Sequence, residues 1–217
     1  MIINIINHLE IRMKRFIQYI TEKVEGRRSY DHLSFWDIDD TIFRTRARVN
    51  VMRGKRVVRS LSNAEYNSYR LGPGETFDYG QFRNAAFFRA TSVAISGSLE
   101  RVKKQLGSLD TMVVLLTARS SFDSNRLFKD ALLDHGIRVN APNLRLELSG
   151  NLKRGTVEER KSYIIRKFIG RFSPSVVSIY DDHAPNVSVL DELTKEFTSI
   201  EFRKHLVVNG TIRRLRR

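Results

Sequence analysis

An α/β fold built on a parallel sheet is the architecture this 217-residue sequence predicts, and three observations predict it. Short apolar runs recur, helical patterns separate them, and polar residues of chemically useful type close the runs. The runs are Leu33-Ser34-Phe35-Trp36, Met112-Val113-Val114-Leu115-Leu116 and Val176-Val177-Ser178-Ile179-Tyr180. Each is short and bounded by polar residues, as strands buried on both faces are. An alternating run at 144–148 and another at 197–202 extend the sheet. Leu99, Val102 and Leu106 mark a helix before the second run, and Leu127, Ala131 and Leu132 mark one after it, stopped at His135-Gly136. A helix over 156–169 presents Val157, Tyr163, Ile164, Phe168 and Ile169 and closes at Gly170. Pro185 suits the first turn of a last helix through Leu193. Strands alternating with helices imply right-handed crossovers between parallel strands.

Residues 44–98 break this rhythm and read as an insert between the first and second core strands. Strands over 46–51 and 55–61 meet through Met52-Arg53-Gly54 as a hairpin. A turn-rich Leu71-Gly72-Pro73-Gly74 follows, then the aromatic cluster Phe77, Tyr79, Phe82, Phe87 and Phe88. The insert is large enough to cover an active site, and its rings serve either core packing or base stacking. The chain therefore divides into an amphipathic extension (1–30), a core domain (31–203) carrying the insert, and a basic C-terminal tail (204–217). The extension places Ile2, Ile5, Ile6, Leu9, Met13, Phe16, Ile17, Ile20 and Val24 at helical spacing, which predicts a docking helix.

A hydrophobic content of 41% with 29% charged residues belongs to a globular chain. The absence of cysteine excludes disulfides, thiolate metal sites and cysteine nucleophiles. Glu10, Arg12, Lys14 and Arg15 interrupt the first apolar residues too early for a membrane span, so no membrane partner and a cytoplasmic location are expected. A formal net charge of +14 attracts polyanions, which points to nucleic acid or nucleotides; simple solubilisation is the competing reading. Arg213, Arg214, Arg216 and Arg217 concentrate that charge at the C-terminus.

In an open parallel sheet, ligands bind beyond the carboxyl ends of the strands. Here the first run ends at Asp37 and Asp39, the second at Thr117, and the third at Asp181 and Asp182. Each alone has an ordinary explanation as a turn, cap or strand end, and Lys161 alone is a solvated charge. It is their order along the chain that makes coincidence a poor account.

With these residues in view, the sequence resembles the haloacid dehalogenase (HAD-like) superfamily. Asp37-Ile38-Asp39-Asp40-Thr41 matches its DxDxT motif, and Val113 to Thr117 its second, an apolar strand ending in Thr. Lys161 stands where the family has its lysine, and Ser178-Ile179-Tyr180-Asp181-Asp182 matches the acidic fourth motif. The resemblance implies a three-layer Rossmann-like α/β sheet with a hairpin-containing cap insert, and a Mg²⁺-dependent phosphatase. In those roles Asp37 attacks phosphorus, Asp39 acts as acid and base, Thr117 and Lys161 hold the phosphoryl oxygens, and Asp37, the backbone carbonyl of Asp39 and Asp181 bind Mg²⁺, with Asp182 binding it directly or through water. The second acid, Asp39, separates phosphatases from dehalogenases. Asp40 reads as a local cap, and His183 as a helix-start residue.

Leu116-Thr117-Ala118-Arg119 and Tyr180-Asp181-Asp182-His183 further resemble the phosphatase modules of nucleic-acid end-repair enzymes, which implies a phosphorylated nucleotide or nucleic-acid end as substrate. Arg119 then has two readings: a contact to substrate phosphate, or a salt bridge to a nearby acid. Residues 13–22 resemble the capsid-targeting peptide of proteins packaged into tailed-phage heads, which would make the protein phage-encoded, in the host cytoplasm or a virion. The alternative function is a non-catalytic nucleic-acid-binding or virion-associated protein.

Overall fold

The structure, a computed structural model, describes residues 30–215. The apolar pattern at 2–24 and the peptide at 13–22 lie outside the described residues. Strand β1 (His32–Trp36) leads into the insert, which holds β2 (Phe43–Arg44), β3 (Val49–Arg53), β4 (Arg56–Leu61), α1 (Asn63–Ser68) and β5 (Glu75–Asp78). Helices α2 (Gly80–Arg83) and α3 (Ala85–Thr91) and strand β6 (Val93–Ala94) complete it. The core resumes with α4 (Ser96–Leu106), β7 (Thr111–Thr117), α5 (Asn125–Asp134) and β8 (Leu144–Leu148). It ends with α6 (Val157–Phe172), β9 (Val176–Asp181), α7 (Ala184–Glu196), β10 (Glu201–Val208) and β11 (Thr211–Leu215).

The protein is a mixed α/β fold around a mostly parallel sheet of order β11-β10-β9-β1-β7-β8, in which β11 alone runs antiparallel to its neighbour. Alternation along β1 explains the layering. Leu33 and Phe35 point to a core shared with α6 and α7, whereas Trp36 points to one shared with α4 and α5. All seven residues of β7 are buried, as a central strand covered on both faces requires. Ser34 sits in this core at little cost because its hydroxyl donates to Gln105 Oε1 (2.9 Å) and accepts from Trp36 Nε1 (2.9 Å). Trp36, Tyr180 and His205 stack across three neighbouring strands, with centroids 3.7 and 4.3 Å apart.

Several boundaries differ from expectation. In the insert hairpin β3 begins at Val49 and runs through Met52 and Arg53, so the turn is Gly54-Lys55. Helix α6 does not stop at Gly170 but continues to Phe172, whose ring packs edge-on against Tyr30; Ser173 then ends it in the left-handed region (φ 47°). Its start follows the sequence: Thr156 and Glu159 form a capping box. The strand expected over 197–202 begins instead at Glu201, because α7 runs to Glu196. Residues 204–215, read as a tail, are most of a hairpin on the sheet edge. Its turn is Asn209-Gly210, both at positive φ (50° and 81°), the geometry of a two-residue hairpin loop.

The insert is a three-stranded antiparallel sheet, β4-β3-β5, with a small core of Val49, Val51 and Leu61. Tyr66, Tyr69, Phe77 and Phe82 pack against that core, while Phe88 belongs to the main one. Among the described residues no helix is long and apolar enough to cross a membrane.

Candidate active site

Leaving β1, the chain adds β7 and β8 on one side and then β9 and β10 on the other, so the sheet's switch point lies between β1 and β9. Asp37 follows β1 and Asp181 ends β9, which puts both carboxylates at the crevice such a sheet creates. Asp37 N–H donates to Tyr180 O (2.9 Å), pinning the two strand ends together.

Lys161, on α6 and almost wholly buried, reaches between them. Its Nζ donates to Asp37 Oδ1 and Asp181 Oδ2, both at 2.6 Å. Burial alone lowers an ammonium's pKa; Asp181 and Asp37 outweigh it here and hold Lys161 well above its ordinary range. Burial drives Asp37 well above the usual carboxylate range; Lys161 opposes that shift, and Asp181, Asp182 and Asp39 add to it. Burial, then Asp181 and Asp40, pushes Asp182 up to about 7. Asp181 is held rigidly, its Oδ1 accepting from His183 N–H (2.9 Å) and Asn186 Nδ2 (3.0 Å).

Asp39 is engaged differently. Arg119 Nε and Nη2 grip its two oxygens at 2.8 and 2.6 Å, and the guanidinium also donates to Phe82 O and Thr45 Oγ1. The rings of Phe82, Phe88 and Phe122 surround it, 4.7 to 5.3 Å from Cζ. Of the two readings of Arg119, this geometry is the salt bridge. Asp40, in the left-handed region (φ 55°), accepts from Thr45 N–H and Asn63 Nδ2, and so ties α1 to the turn after β1. Thr117 is fully buried; its hydroxyl accepts from Arg119 N–H (3.2 Å), and it does not line the cavity.

That cavity, of about 500 Å³, opens on Asp37, Asp39, Arg119 and Asp182 and is walled on the far side by Asn63, Tyr66, Phe77, Tyr79 and Phe82 of the insert. The insert thus covers the strand ends, as expected from its length.

Three contributors were not singled out in the sequence. Asn186 lines the cavity with its Oδ1 buried and unpartnered. Arg160 lines it one residue before Lys161. Gly150 lets a short turn pack under the strand end: a Cβ there would lie 2.4 Å from Ala118 O. Neighbouring Ser149 donates to Thr117 O (3.0 Å). The Asp-Asp-x-x-x-Asn spacing was a visible signal for Asn186; nothing local marks Gly150.

Among the described residues, no three acidic or histidine side chains stand together as a ready metal site. Lys161 and Arg119 take up oxygens of Asp37, Asp181 and Asp39. The donor chemistry nonetheless suits a hard cation. Asp37 and Asp182 each keep an oxygen free of hydrogen bonds to the described residues, and Asn186 Oδ1 is an orphaned buried acceptor beside them. No protein-family model matches the chain, and no curated protein is significantly similar to it in sequence.

Proposed function

We propose that the protein is a Mg²⁺-dependent phosphatase of the HAD-like type, hydrolysing a phosphate monoester on a nucleotide or nucleic-acid end with Asp37 as nucleophile. The observation that carries this reading is the Asp37–Lys161–Asp181 cluster at the sheet's switch point, whose Asp37 lines a cavity large enough for a nucleotide while Lys161 and Asp181 are buried behind it.

An Asp37 oxygen attacks phosphorus and the bond to the leaving oxygen breaks, giving an aspartyl-phosphate. Asp39 supplies the leaving group's proton, which requires its pair with Arg119 to open. Water then attacks phosphorus, Asp39 takes its proton, and phosphate departs to regenerate Asp37. The Lys161 ammonium offsets charge on the phosphoryl oxygens. Thr117 orders the loop carrying Arg119 through its bond to Arg119 N–H. Asp37, Asp182 and Asn186, with Asp181 behind them, would hold a Mg²⁺, which would supply neutralisation of the phosphoryl charge.

The closed pairs Lys161–Asp37 and Arg119–Asp39 favour one second reading, a nucleic-acid-binding or virion protein without turnover. Hydrolysis of a chromogenic phosphate ester, lost in Asp37→Asn and on chelation, supports the phosphatase. Salt-sensitive DNA or RNA binding with no ester turned over supports the alternative.

A further inference from the structure

Arg119, for which substrate phosphate was one of two readings, is spent on Asp39. The cavity has two other arginines, Arg83 and Arg160, and among the described residues neither has an acidic partner within salt-bridge distance. Arg83 is exposed, whereas Arg160 is half-buried. Its Nη1 donates to Leu152 O (3.1 Å), which fixes the side chain, while its Nε is buried with no acceptor. A cation withdrawn from water without a counter-charge is unfavourable, and a planar guanidinium pairs best with a phosphate or carboxylate.

The surroundings narrow the anion. Arg160 lies near the N-terminal end of α6, where the helix dipole favours negative charge. Lys161, the next residue, serves Asp37 and the reacting phosphoryl group, so Arg160 addresses a different part of the ligand. Tyr66 and Tyr79, joined by a 2.9 Å hydroxyl bond, stand with Phe77 as an aromatic wall on the same cavity. Besides Asp37, Asp39 and Asp182, two further acids line the cavity: Asp78 is turned to Gly80 N–H and Asn50 Nδ2, and Glu158 makes no salt bridge to Arg160.

Resting on the phosphatase reading above, we infer that Arg160 binds a second phosphate of the substrate while the aromatic wall takes its base. The substrate class is then a nucleotide bearing two phosphate groups, one hydrolysed and one held. A nucleoside bisphosphate and a phosphorylated dinucleotide, whose second anion is a phosphodiester, share this chemistry.

The test measures kcat/KM of the full-length protein with Mg²⁺ on p-nitrophenyl phosphate, nucleoside 3′- and 5′-monophosphates, nucleoside 3′,5′-bisphosphate and 3′- and 5′-phosphorylated dinucleotides. Wild type is expected to prefer one of the two-phosphate classes over the matching monophosphate by about tenfold or more, the effect of a charge-assisted contact. The class preferred identifies the source. Arg160→Gln should abolish that preference and Arg160→Lys restore part of it. Turnover with no preference in wild type, a result that needs no variant to fold, overturns the inference alone. A preference kept in well-folded Arg160→Gln does the same. Absence of turnover on every ester overturns the phosphatase reading and this inference with it.

Discussion

Replacing Lys161 by Met isolates the strongest electrostatic feature of the site. The ammonium is 1% exposed and makes two 2.6 Å contacts, to carboxylates that are themselves buried. Met preserves most of the stem's packing but leaves Asp37 and Asp181 facing one another without a counter-charge. Removing one partner of a buried ion pair costs about 3–5 kcal/mol, because the remaining charge cannot be resolvated. Two carboxylates are stranded here, so the loss belongs at the upper end of that range when both are ionised. Protonation relieves it. Asp37, which burial already holds well above the usual carboxylate range, binds its proton more tightly in the folded variant than in the unfolded chain, so the deficit is largest above its raised pKa and shrinks on acidification toward the ordinary carboxylate value. Urea unfolding followed by circular dichroism at pH 8 and pH 5 measures both effects. A loss below about 1 kcal/mol, or one equal at the two pH values, refutes the account of Lys161 as the counter-charge of a buried acidic pair.

Other expectations follow from single contacts. Arg119→Lys cannot reproduce the two-pronged grip on Asp39 within the ring of phenylalanines, so it should lose about 2 kcal/mol in urea unfolding and lower kcat. Gly150→Ala places a methyl 2.4 Å from Ala118 O and 2.6 Å from Arg119 C, both backbone; a loss of about 1–3 kcal/mol is expected in thermal unfolding. His205 is pushed down to about 4 by burial, with Arg101, Arg214 and Arg203 adding, from an ordinary 6.5. Its contribution is therefore complete above pH 6.5 and is lost as pH falls toward 4, by up to about 3 kcal/mol. A His205→Phe variant, which keeps the stack on Tyr180, should flatten that part of the stability–pH curve.

The parts of the fold legible in the sequence were those whose burial leaves a pattern. β7 is covered on both faces and therefore reads as an unbroken apolar run, and β8 was located to the residue. β10 was anticipated only at its start, through the run at 197–202, and the edge strand β11 not at all, because charge interrupts both: Arg203, Lys204, Arg213 and Arg214 obscure the alternation, and the signal that remained, Asn209-Gly210, was a turn inside a presumed tail. The acidic residues were found through their positions at strand ends, which topology brings together. What each touches is a tertiary fact. Spacing could not show that Arg119 would close on Asp39, 80 residues earlier in the chain, rather than on a ligand. Nor could it show that Arg160 would be left without an acidic partner among the described residues while its neighbour Lys161 took two.

In the proposed reaction Asp37 forms a covalent bond to phosphorus. Mixing the full-length protein with Mg²⁺ and a rapidly turned-over phosphate ester, quenching in acid and mapping the peptides by mass spectrometry tests it directly. A phosphoryl adduct on Asp37 that vanishes in Asp37→Asn together with turnover is expected. Sustained hydrolysis in that variant, or an adduct on another residue, contradicts it.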